Sequence, residues 1–147
     1  MKAVVQKVSN ADVIVKNETT GAIKTGLVVF LGIGRQDNET DVKYLVKKIV
    51  NLRIFEDEKH KMNLSLSDVQ GELLVISQFT LFADCRRGNR PSFINAAPPG
   101  EAEQLYKYFI DKAREKGVAV KTGRFKTMMK VSLVNEGPVT IILDTKS

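Results

Sequence analysis

The segment ELLVISQFTLFA, from Glu72 to Ala83, constrains the fold more than any other part of this sequence, because its only charge is at the first residue. Such a run is typical of a strand that is covered on both faces in the centre of a sheet. A second apolar run, GLVVFLGIG from Gly26 to Gly34, predicts another buried strand. Both runs are far shorter than the roughly 20 residues that span a bilayer, so no membrane partner is expected.

Two segments place apolar residues three and four positions apart, which predicts amphipathic helices. They are DNETDVKYLVKKIVNL, where Asn38 to Asp41 suit an N-cap, and EAEQLYKYFIDKAREKG, which ends at Gly117. Lys2 to Lys16 and the turn formers KNETTG predict a β-hairpin, EDEKHKMN a charged loop, and MMKVSLV and VTIILD two strands on either side of Gly137 and Pro138. The expected fold is α+β, with a barrel-like mixed or antiparallel sheet and two helices packed outside it.

The length of 147 residues suits one domain, which we expect to span residues 1–147. A formal charge of +6 favours a polyanionic partner such as a nucleic acid, although a mildly basic surface without a function has the same charge. Cys85 is the only cysteine, and His60 the only histidine, so neither an intrachain disulfide nor a usual structural zinc set is available. No apolar leader follows Met1, and we expect a cytoplasmic protein.

Side chains for catalysis are scarce. Ser77 and Thr80 lie in the central apolar run, but each needs a base, and His60 lies in a charged segment typical of an exposed loop. Cys85, next to two arginines, leaves a thiol-dependent hydrolase open as an alternative. Paired carboxylates, a phosphate-binding glycine fingerprint and metal-ligand spacing are all absent. Any catalysis is therefore expected to depend on backbone donors and on groups of the substrate.

Three motifs distinguish between these possible functions. They are SQFTLFAD at Ser77–Asp84, GNRPSF at Gly88–Phe93, and TGRF with MMKVSLVNEGPVT at Thr122–Thr140, and together they closely resemble the D-aminoacyl-tRNA deacylase (D-tyrosyl-tRNA deacylase) family. The resemblance is collinear over essentially the whole chain. It implies a homodimer that hydrolyses the ester of D-aminoacyl-tRNAs, and of glycyl-tRNA mischarged on tRNA(Ala), without a metal or an organic cofactor.

The resemblance also gives a role to Gly137 and Pro138, which the residues alone leave open between a hairpin turn and backbone presented to a ligand. In the family this peptide is cis and reaches into the active site of the other subunit. It would act as a chiral gate, because rigid backbone oxygens beside the substrate α-carbon admit a hydrogen but exclude the side chain of an L-amino acid.

By the same resemblance, the pocket for the 3′-terminal adenosine and its ester is lined by Ser77, Gln78, Phe79 and Thr80. The backbone at Phe79 and Thr80 would stabilise an oxyanion, and Gln78 would orient the ester. Since no base lies near Thr80 in the sequence, the ribose 2′-hydroxyl is expected to assist the chemistry in place of a Thr80 nucleophile. Phe125 and Met129 are also implied as pocket residues, although both equally suit a core.

Basic residues are expected to contact acceptor-stem phosphates, with a solvated surface as the alternative; the candidates are Arg86, Arg87, Arg90 and Lys126. Three positions depart from the family pattern. Lys7 replaces a frequent arginine, Lys126 a small residue and Glu136 an aspartate, which puts the rigidity of the gate in question. The main rival function is a basic nucleic-acid-binding module without hydrolytic activity.

Overall fold

The computed structural model describes residues 1–147 and contains eight strands, two α-helices and one 3₁₀ helix. The strands are β1 (Lys2–Val15), β2 (Glu18–Ile23), β3 (Gly26–Gly32), β4 (Phe55–Glu56), β5 (Met62–Leu64), β6 (Glu72–Ser77), β7 (Ala119–Thr122) and β8 (Lys130–Asp144). The α-helices are α1 (Glu39–Asn51) and α2 (Pro99–Glu115), and the 3₁₀ helix is Phe79–Phe82. None of the helices is long and apolar enough to cross a membrane.

Strand β1 organises a mixed sheet of six strands. It pairs antiparallel with β3 and β2 along one edge and with β8 along the other, while β3, β6 and β7 run parallel to one another. The sheet curls until its outer strands, β2 and β7, approach each other. This closure is visible at Gly21 of β2, where an added Cβ would lie 2.6 Å from the carbonyl oxygen of Thr122 in β7. The predicted barrel-like sheet with two external helices is confirmed.

Both predicted helices form where the apolar spacing placed them. Helix α1 begins at a capping box in which the Asn38 side chain accepts from the Thr40 amide and the Asp41 carboxylate accepts from the Asn38 amide, each at 2.9 Å. Helix α2 ends just before Gly117, whose φ of +80° suits the left-handed position after a helix. The buried faces of both helices pack on one side of the sheet in the main core.

The central strand is shorter than the prediction of Glu72–Ala83. It ends at Ser77, which pairs with Leu31 at the last parallel position before β3 itself ends at Gly32. Beyond that point the chain has no neighbouring strand to bond with, so the backbone closes local bonds and forms the 3₁₀ helix Phe79–Phe82. An apolar run does not reveal where its partner strand stops.

The C-terminal prediction of two separate strands is also wrong, because β8 is one strand that pairs with β1 on both sides of Gly137 and Pro138. Between the pairs Gln6–Thr140 and Val8–Asn135, residues 136–139 stand opposite Lys7 alone. We call residues 136–139 the excursion. The charged loop EDEKHKMN contributes to a small hairpin of β4 and β5, and the sequence reading missed the short strand β7.

Candidate active site

An open cleft of about 870 Å³ lies where the parallel strand β6 ends. Its walls include seven of the predicted site residues: Ser77, Gln78, Phe79, Thr80, Phe125, Lys126 and Met129. The carboxyl ends of parallel strands are a common position for binding sites, because the segments that leave the sheet there are free to adopt irregular geometry. The cleft therefore brings together the SQFT and TGRF motifs, which are far apart in the sequence.

The 3₁₀ helix that forms one wall rests directly on the end of β3. A Cβ added to Gly32 would lie 2.9 Å from the Leu81 Cβ atom and 3.1 Å from the Gln78 carbonyl oxygen. The Gln78 amide in turn donates to the Leu31 carbonyl at 2.8 Å. Glycine at position 32 is thus what allows the helical turn to approach the sheet closely.

Two backbone amides at the start of this turn have no acceptor within the chain. The bonds that close the turn run from the Leu81 amide to the Gln78 carbonyl (3.2 Å) and from the Ala83 amide to the Thr80 carbonyl (3.0 Å). The amides of Phe79 and Thr80 are the first in the helix, where no intrahelical acceptor exists. They are available, on a fixed backbone, to a negatively charged oxygen in the cleft.

The side chains of the cleft offer no general base. Its lining contains no histidine, cysteine, aspartate or glutamate, and its only charged residues are Arg35 and Lys126. The Thr80 hydroxyl accepts a hydrogen bond from the side-chain Nε2 of Gln78, and both residues line the cleft. His60 lies outside it and is largely exposed beside Glu56, with 3.4 Å between Nδ1 and Oε2.

Phe125 and Met129 belong both to the cleft and to the hydrophobic interior. Phe125 packs against the main core, and its ring centroid lies 5.7 Å from that of Tyr106. Met129 packs against a second, smaller apolar cluster, and Gly123 makes room for its sulfur atom. The two alternatives left open by the sequence therefore coexist, because these residues form the floor of the cleft with one side and pack with the other.

Tyr106 supports this floor from helix α2. Its hydroxyl donates to the Val75 carbonyl at 2.9 Å, and burial raises the pKa of the phenol to about 12. The side chain remains neutral and fixed at any physiological pH. It ties α2 to β6 close to the point where the SQFT segment begins.

Gly137 and Pro138 lie outside the cleft. Their peptide is cis, as the resemblance implies, Gly137 has a φ of +121°, and both residues are exposed at the tip of the excursion. The excursion is held at its base by Asn135, whose Nδ2 donates to the Lys7 carbonyl (2.9 Å) and to the Val139 carbonyl (3.0 Å). The Lys7 side chain lies over the Phe55 ring and makes no hydrogen bond to the excursion.

Sheet register separates the excursion from the cleft of the same chain. The excursion leaves β8 opposite Lys7, and since Lys7 pairs with Leu27 and Leu27 with Leu73, it lies at the level of Leu73. On β6 the cleft begins at Ile76, about 10 Å further along the strand at roughly 3.3 Å per residue. On β8 the residue that lines the cleft is Val131, four residues or about 13 Å before Asn135 at the base of the excursion. Gly137 and Pro138 are thus remote from their own cleft.

The three arginines predicted to contact phosphate lie outside the cleft as well. Arg86 is bound to Asp84 through two side-chain bonds of 2.9 and 2.6 Å, and this pairing lowers the pKa of the Asp84 carboxyl to about 2. Arg86 and Arg87 line a separate depression with Asp84 and Ser92. Arg87 and Arg90 are exposed and make no ion pair. The exposed Cys85 is in this loop, away from the cleft.

Sequence reasoning missed two features of the cleft. Arg35 follows β3 and lines the opening, although no motif marked it. Phe93, in the GNRPSF motif, meets the exposed ring of Phe79 edge to face, with centroids 5.0 Å apart. An arginine directly after a buried strand was the available signal for Arg35, because it lies at the same sheet end as the SQFT turn.

Comparison with known proteins identifies the family of this chain. A family model described as D-Tyr-tRNA(Tyr) deacylase matches residues 4–144. A D-aminoacyl-tRNA deacylase of Thermotoga petrophila is 59% identical over 145 residues, covering 99% of this chain and 97% of the relative. One of Clostridioides difficile is 57% identical over 145 residues, with the same two coverages, 99% and 97%.

Solved structures show the same fold. A protein described as c-Myc DNA Unwinding Element Binding Protein has a TM-score of 0.93 at 42% identity, with 99% of each chain covered. A probable eukaryotic D-amino acid tRNA deacylase has a TM-score of 0.81 at 16% identity, with 97% of each chain covered, and supports the fold alone. The full-length family match and the curated relatives show that this chain belongs to the D-aminoacyl-tRNA deacylase family.

Proposed function

We propose that this chain hydrolyses the ester bond of D-aminoacyl-tRNAs and releases the free D-amino acid and tRNA. The observation that carries the proposal is the pair of unbonded amides, Phe79 and Thr80, in a cleft whose only charged residues are cations. Backbone donors fixed in this way stabilise the oxyanion that forms when an ester carbonyl is attacked. The cations suit a substrate that carries phosphates.

The substrate supplies the group that the cleft lacks. Water adds to the ester carbonyl, the oxyanion is held by the Phe79 and Thr80 amides, and the bond between the carbonyl carbon and the ribose oxygen breaks. The neighbouring ribose 2′-hydroxyl relays the proton from water to the departing ribose oxygen. Gln78 and Ser77 orient the ester, and Phe125 and Met129 form the floor beneath the terminal adenosine. No metal or cofactor has a part in this scheme.

The excursion of a second copy of the chain selects D-aminoacyl esters over L-aminoacyl esters. Gly137 and Pro138 are exposed and lie too far from their own cleft to act there, so a homodimer that inserts each excursion into the partner's cleft accounts for both facts. The backbone of the excursion then excludes the side chain of an L-amino acid. Glycyl-tRNA has no side chain to exclude, and is therefore a second substrate.

The direct test measures release of amino acid from D-tyrosyl-tRNA and L-tyrosyl-tRNA by the purified protein. Selective release from the D-ester supports the proposal, and equal release from both esters contradicts the gate. Gly137→Ala is expected to reduce the D-to-L ratio, because alanine is strained at a φ of +121°. Gly117→Ala is the matched control, since Gly117 also has positive φ but lies at the end of α2.

A mixed dimer distinguishes a gate supplied by the partner from one in the same chain. One subunit carries Gly137→Ala and the other Gly32→Val, which displaces the 3₁₀ helix of its cleft. If the gate comes from the partner, one of the two sites combines an intact cleft with an intact gate. The mixed dimer then shows about half the wild-type activity with wild-type selectivity. If each gate serves its own chain, the only intact cleft carries the Gly137→Ala gate. A mixed dimer that is active without wild-type selectivity therefore contradicts a gate supplied by the partner.

A second candidate function is nucleic-acid binding without hydrolysis, because a solved structure at 42% identity is described as a c-Myc DNA Unwinding Element Binding Protein and this chain has a charge of +6. Binding of tRNA with no release of amino acid favours it. A thiol-dependent hydrolase is a weaker alternative, because Cys85 lies outside the cleft. Retention of activity in Cys85→Ala argues against that alternative.

The proposal further places the activity in one domain spanning residues 1–147, in the cytoplasm, where aminoacyl-tRNAs are used. The family match over residues 4–144 supports the single domain. Outside the cleft, Arg86, Arg87 and Arg90 contact the acceptor stem, with Arg87 and Arg90 contributing most because Arg86 is paired with Asp84. Binding of tRNA should weaken steeply with salt if several of them touch phosphates.

A further inference from the structure

The two charged residues of the cleft are both cations, and neither has a carboxylate partner. Arg35 and Lys126 line the opening from two different loops, after β3 and after β7 respectively. Both are exposed, and none of the six ion pairs in the structure includes either residue. The remaining lining residues are neutral. The mouth of the cleft is therefore positively charged without any internal compensation.

Arg35 is held by its backbone and by one side-chain nitrogen. Its amide donates to the Asn95 carbonyl at 3.1 Å, and its Nε donates to the Ile94 carbonyl. No hydrogen bond involves its two Nη atoms. The outer part of the guanidinium is therefore oriented and free to donate, and its planar fork matches the geometry of a phosphate.

Lys126 occupies an unfavourable backbone conformation for a lysine. Its φ is +58°, in the left-handed region where glycine is favoured, within a turn that the Thr127 hydroxyl closes by donating to the Arg124 carbonyl at 2.8 Å. The Lys126 ammonium makes no hydrogen bond or ion pair that would offset this cost. Within the chain, the Lys126 side chain therefore contributes a positive charge at the mouth of the cleft and no stabilising contact to the turn.

We propose that Arg35 and Lys126 bind the phosphodiester groups that join the last nucleotides of the tRNA strand, and so position the terminal adenosine over the SQFT turn. This inference rests on the proposed function. Neither the ester nor the adenine base carries a negative charge. The phosphates are therefore the groups of the substrate that two unpaired cations at the mouth of the cleft recognise. The pair acts in substrate positioning and does not touch the scissile bond.

The test uses variants that remove the charge with and without relief of the backbone strain. Lys126→Gly removes both, Lys126→Met removes the charge alone, and Arg35→Met removes the second cation. Lys16→Gly is the matched control, because Lys16 is also an exposed lysine with positive φ (+48°) but lies in the turn between β1 and β2. Thermal unfolding of each variant checks that the fold is retained.

Two substrates separate phosphate binding from the chemistry: D-tyrosyl-tRNA, and D-tyrosine esterified to adenosine without any phosphate. Each variant of Lys126 and Arg35 should lower kcat/KM for D-tyrosyl-tRNA by up to about fivefold, mainly through KM. The ratio of kcat/KM for tRNA to that for the adenosine ester should fall equally for Lys126→Gly and Lys126→Met. Lys16→Gly should leave this ratio unchanged. An equal loss on both substrates overturns the proposal, because the residues then shape the cleft.

Binding of uncharged tRNA tests the same contacts without hydrolysis. The slope of log affinity against log salt is negative, and its magnitude should fall by about 0.7 for each cation removed, as for single-stranded phosphates. An unchanged slope in both the Lys126 and Arg35 variants overturns the proposal even if activity falls. A wild-type protein that releases no amino acid from either substrate overturns the proposed function instead, and the salt slopes still decide whether these residues bind phosphate.

Discussion

Replacing Asn135 with aspartate removes the donor that holds the base of the excursion while keeping the shape of the side chain. Asn135 Nδ2 makes two hydrogen bonds, to the carbonyls of Lys7 and Val139, and an aspartate places a negative oxygen against one or both of them. Each lost bond costs about 1 kcal/mol, so the free energy of unfolding should fall by about 2 kcal/mol. For a chain of this length, that lowers Tm by about 4–8 °C.

The same substitution should lower the selectivity for D- over L-esters more than it lowers the rate of hydrolysis of the D-ester, because the excursion is far from the SQFT turn of its own chain. If the lost free energy is what keeps the excursion in its conformation, the D-to-L ratio of kcat/KM falls by up to about 30-fold. Asn10→Asp is the control, since Asn10 is exposed, pairs across from Val134, the residue next to Asn135, and bonds only weakly to Ser9 at 3.4 Å. An Asn135→Asp variant with the Tm and selectivity of the control would refute this reasoning.

Three further results are expected. Thr80→Val should retain most of the kcat/KM on D-tyrosyl-tRNA, because its amide is unchanged and no base is present to activate its hydroxyl; a loss of several orders of magnitude would contradict this. Gly32→Ala should lower activity more than Thr80→Val does, since its Cβ displaces the 3₁₀ helix, whereas Gly100→Ala, with no atom within 4 Å, should be neutral in the same assay. The Asp84 carboxyl should titrate near pH 2 by NMR, and Arg86→Ala should move that midpoint up toward 4. Because the folded pKa is lowered, the stabilisation by this pair is present above about pH 4 and is lost as the pH falls toward 2.

Local sequence signals predicted the helices well and the ends of strands poorly. The capping residues around Asn38 and Gly117 act within one turn, so they are visible in the sequence. The end of β6 at Ser77 depends on Gly32, in a strand remote in the sequence, and the single strand β8 depends on the length of β1. Strand pairing of this kind is set by tertiary contacts that no local pattern records.

The candidate site likewise combines residues that a local motif reveals with residues that only the fold brings together. Its SQFT turn was found from the motif, while Arg35 and Lys126 meet at the cleft only because the ends of β3 and β7 lie at the same edge of the sheet. Lys126 drew attention as a departure from the family pattern, and its positive φ gave that departure a physical meaning. Arg35 had no local signal except its position after a buried strand.

A site that uses backbone amides is protected from most single substitutions of its own side chains, because every residue carries the same N–H group. The property that such a site must preserve is the position of the backbone, which here depends on residues beneath the turn. Gly32 permits the turn to approach β3, and the Tyr106 hydroxyl fixes β6 just before the turn begins. Sensitivity to mutation should therefore be greatest in the residues that support the SQFT segment, rather than in the hydroxyl-bearing residues that the motif displays.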